Sequence, residues 1–329
     1  MLPVQFIKQV QSKMEALGAF SKDVNQWIIA YSGGVDSRVL LDVLCKVKPE
    51  DKKIVVIHVN HGLSQYALDW EQSAKNVCAQ YDITPIIERV ILGNGASIEK
   101  QARDARYNAI ENVMTANDFV FMGHHLNDNA ETVLFRLFRG TGITGLMGIP
   151  EKRTFGNGFI ARPLIDTTRK DIEEYAEAND FEWVTDDSNV DTKYSRNYIR
   201  HDILPVITSK WGNFLNTLNR TIQQFKETQS LLNEIAECDW ELVKDSHKKY
   251  PEATCFNIEK IKMLSQPRMK NVLIKFCSEM TDNNQSSASL ENLMKMIFSE
   301  NKNNSKLKSV QYENADVFSN GKLVWIVKK

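Results

Sequence analysis

A chain of 329 residues can hold two domains and bury a large core. With 42% hydrophobic and 25% charged residues it reads as soluble and globular, and no apolar run approaches the roughly 20 residues of a membrane span. A formal net charge of −1 excludes a global attraction to nucleic acid, so any RNA contact needs a local basic face.

Residues 5–17 set Phe6, Ile7, Val10 and Met14 at helical spacing, so a helix precedes the first strand. Residues 1–11 lack a basic region followed by a long apolar one, so no secretion signal is expected. Cys45, Cys78, Cys238, Cys255 and Cys277 are scattered and form no Cys-x-x-Cys pair. That pattern predicts a reducing, cytoplasmic setting and argues against a structural zinc or iron–sulfur site.

The run Ile28-Ile29-Ala30-Tyr31 predicts a short buried strand, and Val39, Leu40, Val43 and Leu44 predict the helix behind it. Between them stands Ser32-Gly33-Gly34-Val35-Asp36-Ser37. Strand, glycine turn and helix present a helix N-terminus to a phosphate. The glycines let backbone N–H groups approach an anion closely, and Ser32 and Ser37 add hydroxyls. A carboxylate beside phosphates repels them. Asp36 therefore either receives an Mg²⁺ that rides on the phosphates or caps the helix. No Gly-Lys-Ser/Thr follows, so this is not a Walker A loop.

Lys53 to Asn60 predicts a second strand, apolar on both faces as in a covered parallel sheet. It ends in Asn60-His61-Gly62-Leu63, where open α/β sheets bind ligands. A helix is predicted over Asp69–Gln80 and a third strand over Ile83–Leu92, broken early by Pro85. A turn follows at Gly93-Asn94-Gly95, then a helix capped by Ser97 and running to about Thr115. Phe119 to Met122 reads as a fourth strand ending in Gly123-His124-His125, with a helix through Phe138. The glycines from Gly140 to Gly148 form either a mobile or tightly turned active-site loop or a plain connector. Ile160 to Leu164, carrying Arg162-Pro163, predicts a short edge strand, and Thr168 with Asp171 predicts a capping pair for a helix to about Ala178. Trp183 to Asp191 is polar and turn-like, and Tyr194 to Ile207 is helical but interrupted at Pro205.

Strands alternating with helices predict an α/β fold with a doubly wound, mainly parallel sheet over residues 1–210. Residues 213–243 carry Phe214, Leu218, Ile222, Phe225, Leu232 and Ile235 at helical spacing and open a smaller, mostly helical domain over 211–329. The alternating stretches Val310–Tyr312 and Leu323–Val327 predict a small terminal sheet, and Asn301–Ser305 reads as a polar linker. Lys248, Lys249, Lys260, Lys262, Arg268 and Lys270 are the second domain's candidates for a basic face.

Three clusters beyond the loop carry chemistry. Arg103 and Arg106 are three apart and share a helix face, whether as ligands or as a solvated face. His124 and His125 sit at a strand end, with Asp128 and Glu131 one turn apart on the next helix. These four can bind a metal, hold an ammonium group or orient a base, although acids at a helix start also suit its dipole. Arg196 and Arg200 are spaced to clamp a phosphate or to pair with Asp186, Asp187, Asp191 or Asp202.

The Ser-Gly-Gly-Val-Asp-Ser loop resembles the pyrophosphate-binding loop of the N-type ATP pyrophosphatases, which adenylate a carbonyl oxygen and let a nucleophile displace AMP. Asn-His-Gly-Leu, Ala-Arg-Asp-Ala-Arg-Tyr, Gly-His-His-Leu-x-Asp-x-x-Glu-Thr, Arg-Gly-Thr-Gly, Arg-Pro-Leu, Asp-x-Ser-Asn and Arg-Asn-x-Ile-Arg follow it in order. That series, over about residues 25 to 205, resembles tRNA(Ile)-lysidine synthetase, and the helical segment behind it is similar to that family's first C-terminal domain. The resemblance implies ATP and Mg²⁺ as cofactors, with free L-lysine and a tRNA(Ile) bearing a CAU anticodon as partners. It implies that C2 of the wobble cytidine, position 34, is activated by adenylation and attacked by the lysine ε-amine. It assigns Ser32, Gly33, Gly34, Asp36 and Ser37 to pyrophosphate and Mg²⁺, with His61 beside the nucleotide. His124 and His125 fall at the substrate site. Asp128 and Glu131 match the family's acids for lysine, and Arg103, Arg106, Arg196 and Arg200 match arginines expected near phosphates or the anticodon. Other loop relatives are tRNA sulfurtransferases, which commonly use paired cysteines. A non-catalytic ATP sensor would need neither the acids nor the arginine pairs. Two departures stand out. Asn127 occupies a position where the family usually has Asp, and many relatives carry a further C-terminal domain beyond the length of this chain. No membrane partner is expected, and a homodimer is compatible with the sequence.

Overall fold

The structure is a computed structural model and describes residues 2–62, 64–90, 98–184, 195–278, 287–298, 308–311 and 315–328. The expected turn at Gly93–Gly95, the Ser97 cap, Leu63, Asp186, Asp187, Asp191 and the Asn301–Ser305 stretch lie outside the described residues. The chain divides into two compact units, Met1–Gln223 and Gln224–Lys329.

The first unit runs α1 (Pro3–Ala16), β1 (Gln26–Ala30), α2 (Val35–Val47), β2 (Lys53–Asn60), α3 (Ala67–Ala79), β3 (Ile86–Arg89), α4 (Ile98–Val113), β4 (Phe119–Phe121) and α5 (Leu126–Phe138). It continues with α6 (Ile143–Leu146), β5 (Lys152–Phe155), β6 (Gly158–Ala161), α7 (Arg169–Glu177), α8 (Ser195–Tyr198), a π turn (Ile199–Ile203) and α9 (Leu204–Lys210). Its sheet has the order β3-β2-β1-β4-β6-β5. β1 pairs in parallel with both β2 and β4: β2 and β3 are added on one side of β1 and β4 on the other, so the winding of the sheet reverses between β1 and β4.

Successive apolar residues feed opposite faces, which is why the strands read as continuous apolar runs. Trp27, Ile29, Val56, Phe119, Phe121 and Ala161 pack on one side with α1, α2, α3 and α7. Ile28, Ile57, Val120, Met122 and Ile160 pack on the other with Ala109 and Ile110 of α4. Phe6 of α1 stacks on Tyr175 of α7 at 4.6 Å between centroids and so seals the first face. The sheet is mainly parallel and doubly wound, as the alternation of elements predicts.

Two local expectations need correction. Ile160–Leu164 is not an edge strand: β6 spans Gly158–Ala161 and lies between β4, parallel, and β5, antiparallel. The edge is β5, joined to β6 by the two-residue turn Gly156-Asn157, in which Gly156 has φ +49°. Arg162-Pro163 follows the strand, so the proline removes no ladder hydrogen bond. Nor does Pro205 interrupt the helix after Ser195. The irregularity is the π turn before it, closed by Leu204 N–H donating to the Ile199 carbonyl, and Pro205 sits in the first turn of α9, where a missing N–H is harmless.

α10 (Phe214–Val243) contains the division between the units. The second unit holds β7 (Cys255–Asn257), α11 (Ile258–Lys262), α12 (Gln266–Ser278), α13 (Ser287–Phe298), β8 (Lys308–Gln311), β9 (Ala315–Ser319) and β10 (Leu323–Lys328). Its four-stranded sheet has the order β7-β10-β9-β8. Phe256, Val272, Leu273, Phe276, Leu293, Val317 and Val324 form its core. Among the described residues no helix is long and apolar enough to cross a membrane.

Candidate active site

The reversal between β1 and β4 leaves a crevice at the strand C-termini, the usual ligand position in such sheets. The Ser32–Ser37 turn follows β1. Its organiser is Ser37 Oγ, which accepts from the backbone N–H groups of Ser32 and Gly33, each at 3.2 Å, and donates to the Gly34 carbonyl at 2.9 Å. Gly33 needs φ +89°, open only to glycine without strain. Gly34 is the N-cap of α2 and has no side chain to cap it, so the first-turn N–H groups keep their affinity for an anion. The turn after β4 comes close: a Cβ at Gly123 would lie 3.1 Å from the Asp36 backbone.

Asp36 projects into the crevice. Arg169 Nη1 donates to its two carboxylate oxygens at 3.0 and 3.3 Å. His125 Nε2 lies 3.6 Å from one of them. Burial pushes the Asp36 carboxyl upward, against the pull of His125 and Arg169. His125 is also the N-cap of α5. Its Nδ1 accepts from Asp128 N–H, which leaves the Nε2 edge for Asp36 and for Asp128 Oδ2 at 3.5 Å.

Asp128 and Glu131 project from one face of α5 and are nearly inaccessible, at 9% and 1% exposure. Arg200 Nε donates to Glu131 Oε1 at 2.7 Å, and its Nη2 bridges Glu131 Oε2 at 2.9 Å and Asp128 Oδ1 at 3.0 Å. Arg196 donates to Glu131 Oε2 at 3.1 Å and Asp128 Oδ1 at 3.3 Å. Two carboxylates and two guanidiniums thus balance at the wall of the crevice. Burial opposes the charge on Asp128, but His125, His124 and Arg196 outweigh it and hold the carboxyl below its usual range. Arg136, the nearer arginine in sequence, turns away from Glu131. It donates to the Gly145 and Gly148 carbonyls, while Asn129 Oδ1 accepts from Ile149 N–H at 2.7 Å. The glycine stretch is therefore a tight turn fastened to α5.

Beside the loop lies a cavity of about 300 Å³, lined by Tyr31, His58, His61, Trp70, Arg106 and His124 among others. Both ring nitrogens of His61 are buried there with no hydrogen-bond partner among the described residues. His124 Nδ1 accepts from Arg162 Nε at 3.2 Å, and burial pushes its imidazole down to about 3, so it is neutral with its other nitrogen a donor. Asn60 fixes the rim: Oδ1 accepts from Gly62 N–H at 2.7 Å, and Nδ2 donates to Glu71 at 2.6 Å. Arg89 grips Glu71 through two nitrogens and pulls its carboxyl down to about 2. An orphaned histidine beside an uncapped helix start suits a nucleotide, with base and ribose in the cavity and phosphates on α2. Among the described residues no group of three or more His, Cys, Asp or Glu is placed to hold a metal. Mg²⁺ would therefore take Asp36 together with phosphate oxygens, its common mode.

The crevice unites Ser32, Gly33, Gly34, Asp36, Ser37, His125, Asp128, Glu131, Arg196 and Arg200, while His61, His124 and Arg106 line the cavity. Arg103 departs from Arg106 and packs over the Tyr107 ring, exposed. In the second unit Arg268 is engaged by buried Asp239, and Lys262 lies near Glu259 at 3.6 Å. Arg169, Arg162, His58 and Asn129 escape sequence reading. For Arg169 a signal existed, because the Thr168–Asp171 capping box puts it at the first position of a helix.

A family model described as the PP-loop domain matches residues 4–207. A tRNA(Ile)-lysidine synthase from Pseudomonas fluorescens is 38% identical over 260 residues, which cover 78% of this chain and 59% of that protein. Proteins of the same name from Coxiella burnetii (38%, covering 76% and 55%) and Legionella pneumophila (36%, covering 77% and 57%) match similarly. The chain therefore spans less than two thirds of the length of these relatives. Among solved structures, the U34-tRNA thiolase NcsA from Methanococcus maripaludis shares the fold, with a TM-score of 0.53 at 18% identity, covering 67% of this chain and 79% of that one.

Proposed function

The chain belongs to the PP-loop domain family, and on that premise we propose that it ligates free L-lysine to C2 of the wobble cytidine of a CAU-anticodon tRNA(Ile). ATP is consumed through an adenylated tRNA, and AMP and pyrophosphate are released. The observation that carries this reading is the continuity of the crevice. His125 Nε2 lies within 3.6 Å of both Asp36 on the phosphate turn and Asp128 of the acid pair. Phosphate handling and amine handling then meet at one imidazole.

In the first half-reaction, the N–H groups at the start of α2 take the phosphates and the cavity takes the nucleoside. An amide-like carbonyl is a poor electrophile, and C2 of cytidine becomes reactive once O2 carries AMP as a leaving group. Mg²⁺ shared by Asp36 and the phosphates would neutralise charge developing on the leaving pyrophosphate. In the second half-reaction the ε-ammonium gives up its proton to solvent on entering, Asp128 and Glu131 orient the neutral amine, and its attack on C2 breaks the C2–O2 bond and releases AMP. Because Arg196 and Arg200 already balance the two acids, the ε-group is favoured there as a neutral amine rather than as a second ammonium beside the α-ammonium. The α-carboxylate and α-ammonium of lysine carry the same two signs as the cluster, so the zwitterion exchanges into it without leaving a net charge.

Four of the five thiols speak against sulfur transfer, and the fifth, Cys238, lies exposed on α10 in the second unit. Burial pushes Cys45 and Cys277 up to about 12 and Cys78 and Cys255 up to about 11, far from a thiolate at neutral pH. The test is incubation with ATP, radiolabelled lysine and bulk tRNA, scored for label in RNA. Label confined to tRNA(Ile) supports the reading. ATP-dependent sulfide incorporation with no lysine transfer would replace it.

A further inference from the structure

Arg169 is the one cation directly on Asp36 that the motifs do not announce. Its position is built from three sides. The Thr168–Asp171 capping box starts α7. Leu126 N–H donates to the Thr167 carbonyl at 2.9 Å. Arg169 N–H donates to Asn127 Oδ1 at 2.9 Å. The last contact also gives Asn127 a role where the resemblance expects Asp: its oxygen accepts across the gap and ties α7 to α5. From that anchor the guanidinium crosses to Asp36, with Nε held by Glu173 Oε1 at 2.7 Å. Nη2 has no partner among the described residues, and the side chain is 39% exposed at the mouth of the crevice.

We propose that Arg169 is a polyphosphate-binding residue that neutralises Asp36 in the free protein and passes to phosphate oxygens when a nucleotide binds. The proposal rests on the nucleotide reading above. A cation and phosphates arriving over α2 take the Asp36 carboxylate, and the arginine loses its partner. A planar fork with an open Nη2 then faces anionic oxygens, the geometry for which guanidinium is better suited than ammonium. The Glu173 contact keeps the fork at the mouth during the exchange.

Calorimetry with magnesium pyrophosphate, magnesium ATP and adenosine decides the matter. Arg169→Ala should weaken pyrophosphate and ATP binding by about tenfold to a hundredfold and leave adenosine unchanged. Arg169→Lys should fall between, since it keeps the charge and loses the fork. Unfolding midpoints guard against a folding artefact, and Arg169→Lys alone decides if the alanine variant does not fold. Unchanged or tighter pyrophosphate binding in the variants would overturn the proposal, leaving Arg169 as a mere counter-charge. Wild-type protein that binds neither ATP nor pyrophosphate would sink the nucleotide reading and this proposal with it. Wild-type binding with unaffected variants sinks this proposal alone.

Discussion

The turn after β1 and the start of α5 face each other across one crevice, yet opposite forces hold them. The turn is held by neutral hydroxyls, with Ser37 Oγ serving three backbone groups. The start of α5 is held by four formal charges, Asp128 and Glu131 against Arg196 and Arg200. A turn satisfied by hydroxyls keeps its helix N–H groups open to a ligand. A charge cluster that is already satisfied admits a ligand only by exchange. The backbone of the turn is preformed, whereas the acid pair of α5 receives a ligand only by giving up partners.

The comparison breaks first at Asp36, the single carboxylate on the preformed side. Asp36→Asn should cut pyrophosphate release by about a hundredfold or more at saturating Mg²⁺ while the unfolding midpoint holds. Retained release would mean that the charge serves the fold rather than the phosphates. On the exchanging side, Glu131→Gln should lower lysidine formation by about tenfold to a hundredfold at limiting lysine, with adenylated tRNA still accumulating. It should also cost about 2 kcal/mol in urea unfolding, because two guanidiniums lose a buried partner. If adenylation collapses and lysine dependence does not change, the acids belong to the nucleotide instead.

Much of this site is legible in sequence where the chemistry is local. Strand, glycines and helix start fall within ten residues, and the Thr168–Asp171 box is a spacing rule that the structure reproduces. Partners distant in sequence are not legible. Glu131 finds Arg200, 69 positions away, while Arg136 turns to the glycine carbonyls. No periodicity encodes that choice, because it depends on how the helical segments beginning at Ser195 pack against Ala130 and Leu134. The edge strand β5 was within reach. Gly156-Asn157 between short β-compatible runs is a hairpin signal, but Lys152 and Arg153 disguise the strand as a loop.

Two smaller effects sharpen the contrast. Ser37→Ala should destabilise the protein by about 1 kcal/mol and lower its melting temperature by a few degrees, since the contacts are those of one neutral hydroxyl. A shift as large as that of Glu131→Gln would erase the distinction between the two sides. The smallest effect is in pH. Asp36 holds its proton more tightly when folded than its ordinary 3.8. Its contribution is therefore fully present below that value and is lost as pH rises through the folded value. Asp36→Asn should flatten that acid-side decline in a stability-versus-pH series, and an unchanged slope would assign it to another group.

The π turn at Ile199–Ile203 has a consequence for how this protein can change over generations. Arg200 lies inside it and Arg196 one turn before, and both reach the same two carboxylates. Removing one residue between them would swing Arg200 by about 100° around the helix axis, away from Glu131. The clamp is thus specified by chain length as much as by side-chain type. A change of residue type at the exposed Asp202 leaves that register intact, whereas the gain or loss of a single residue there does not.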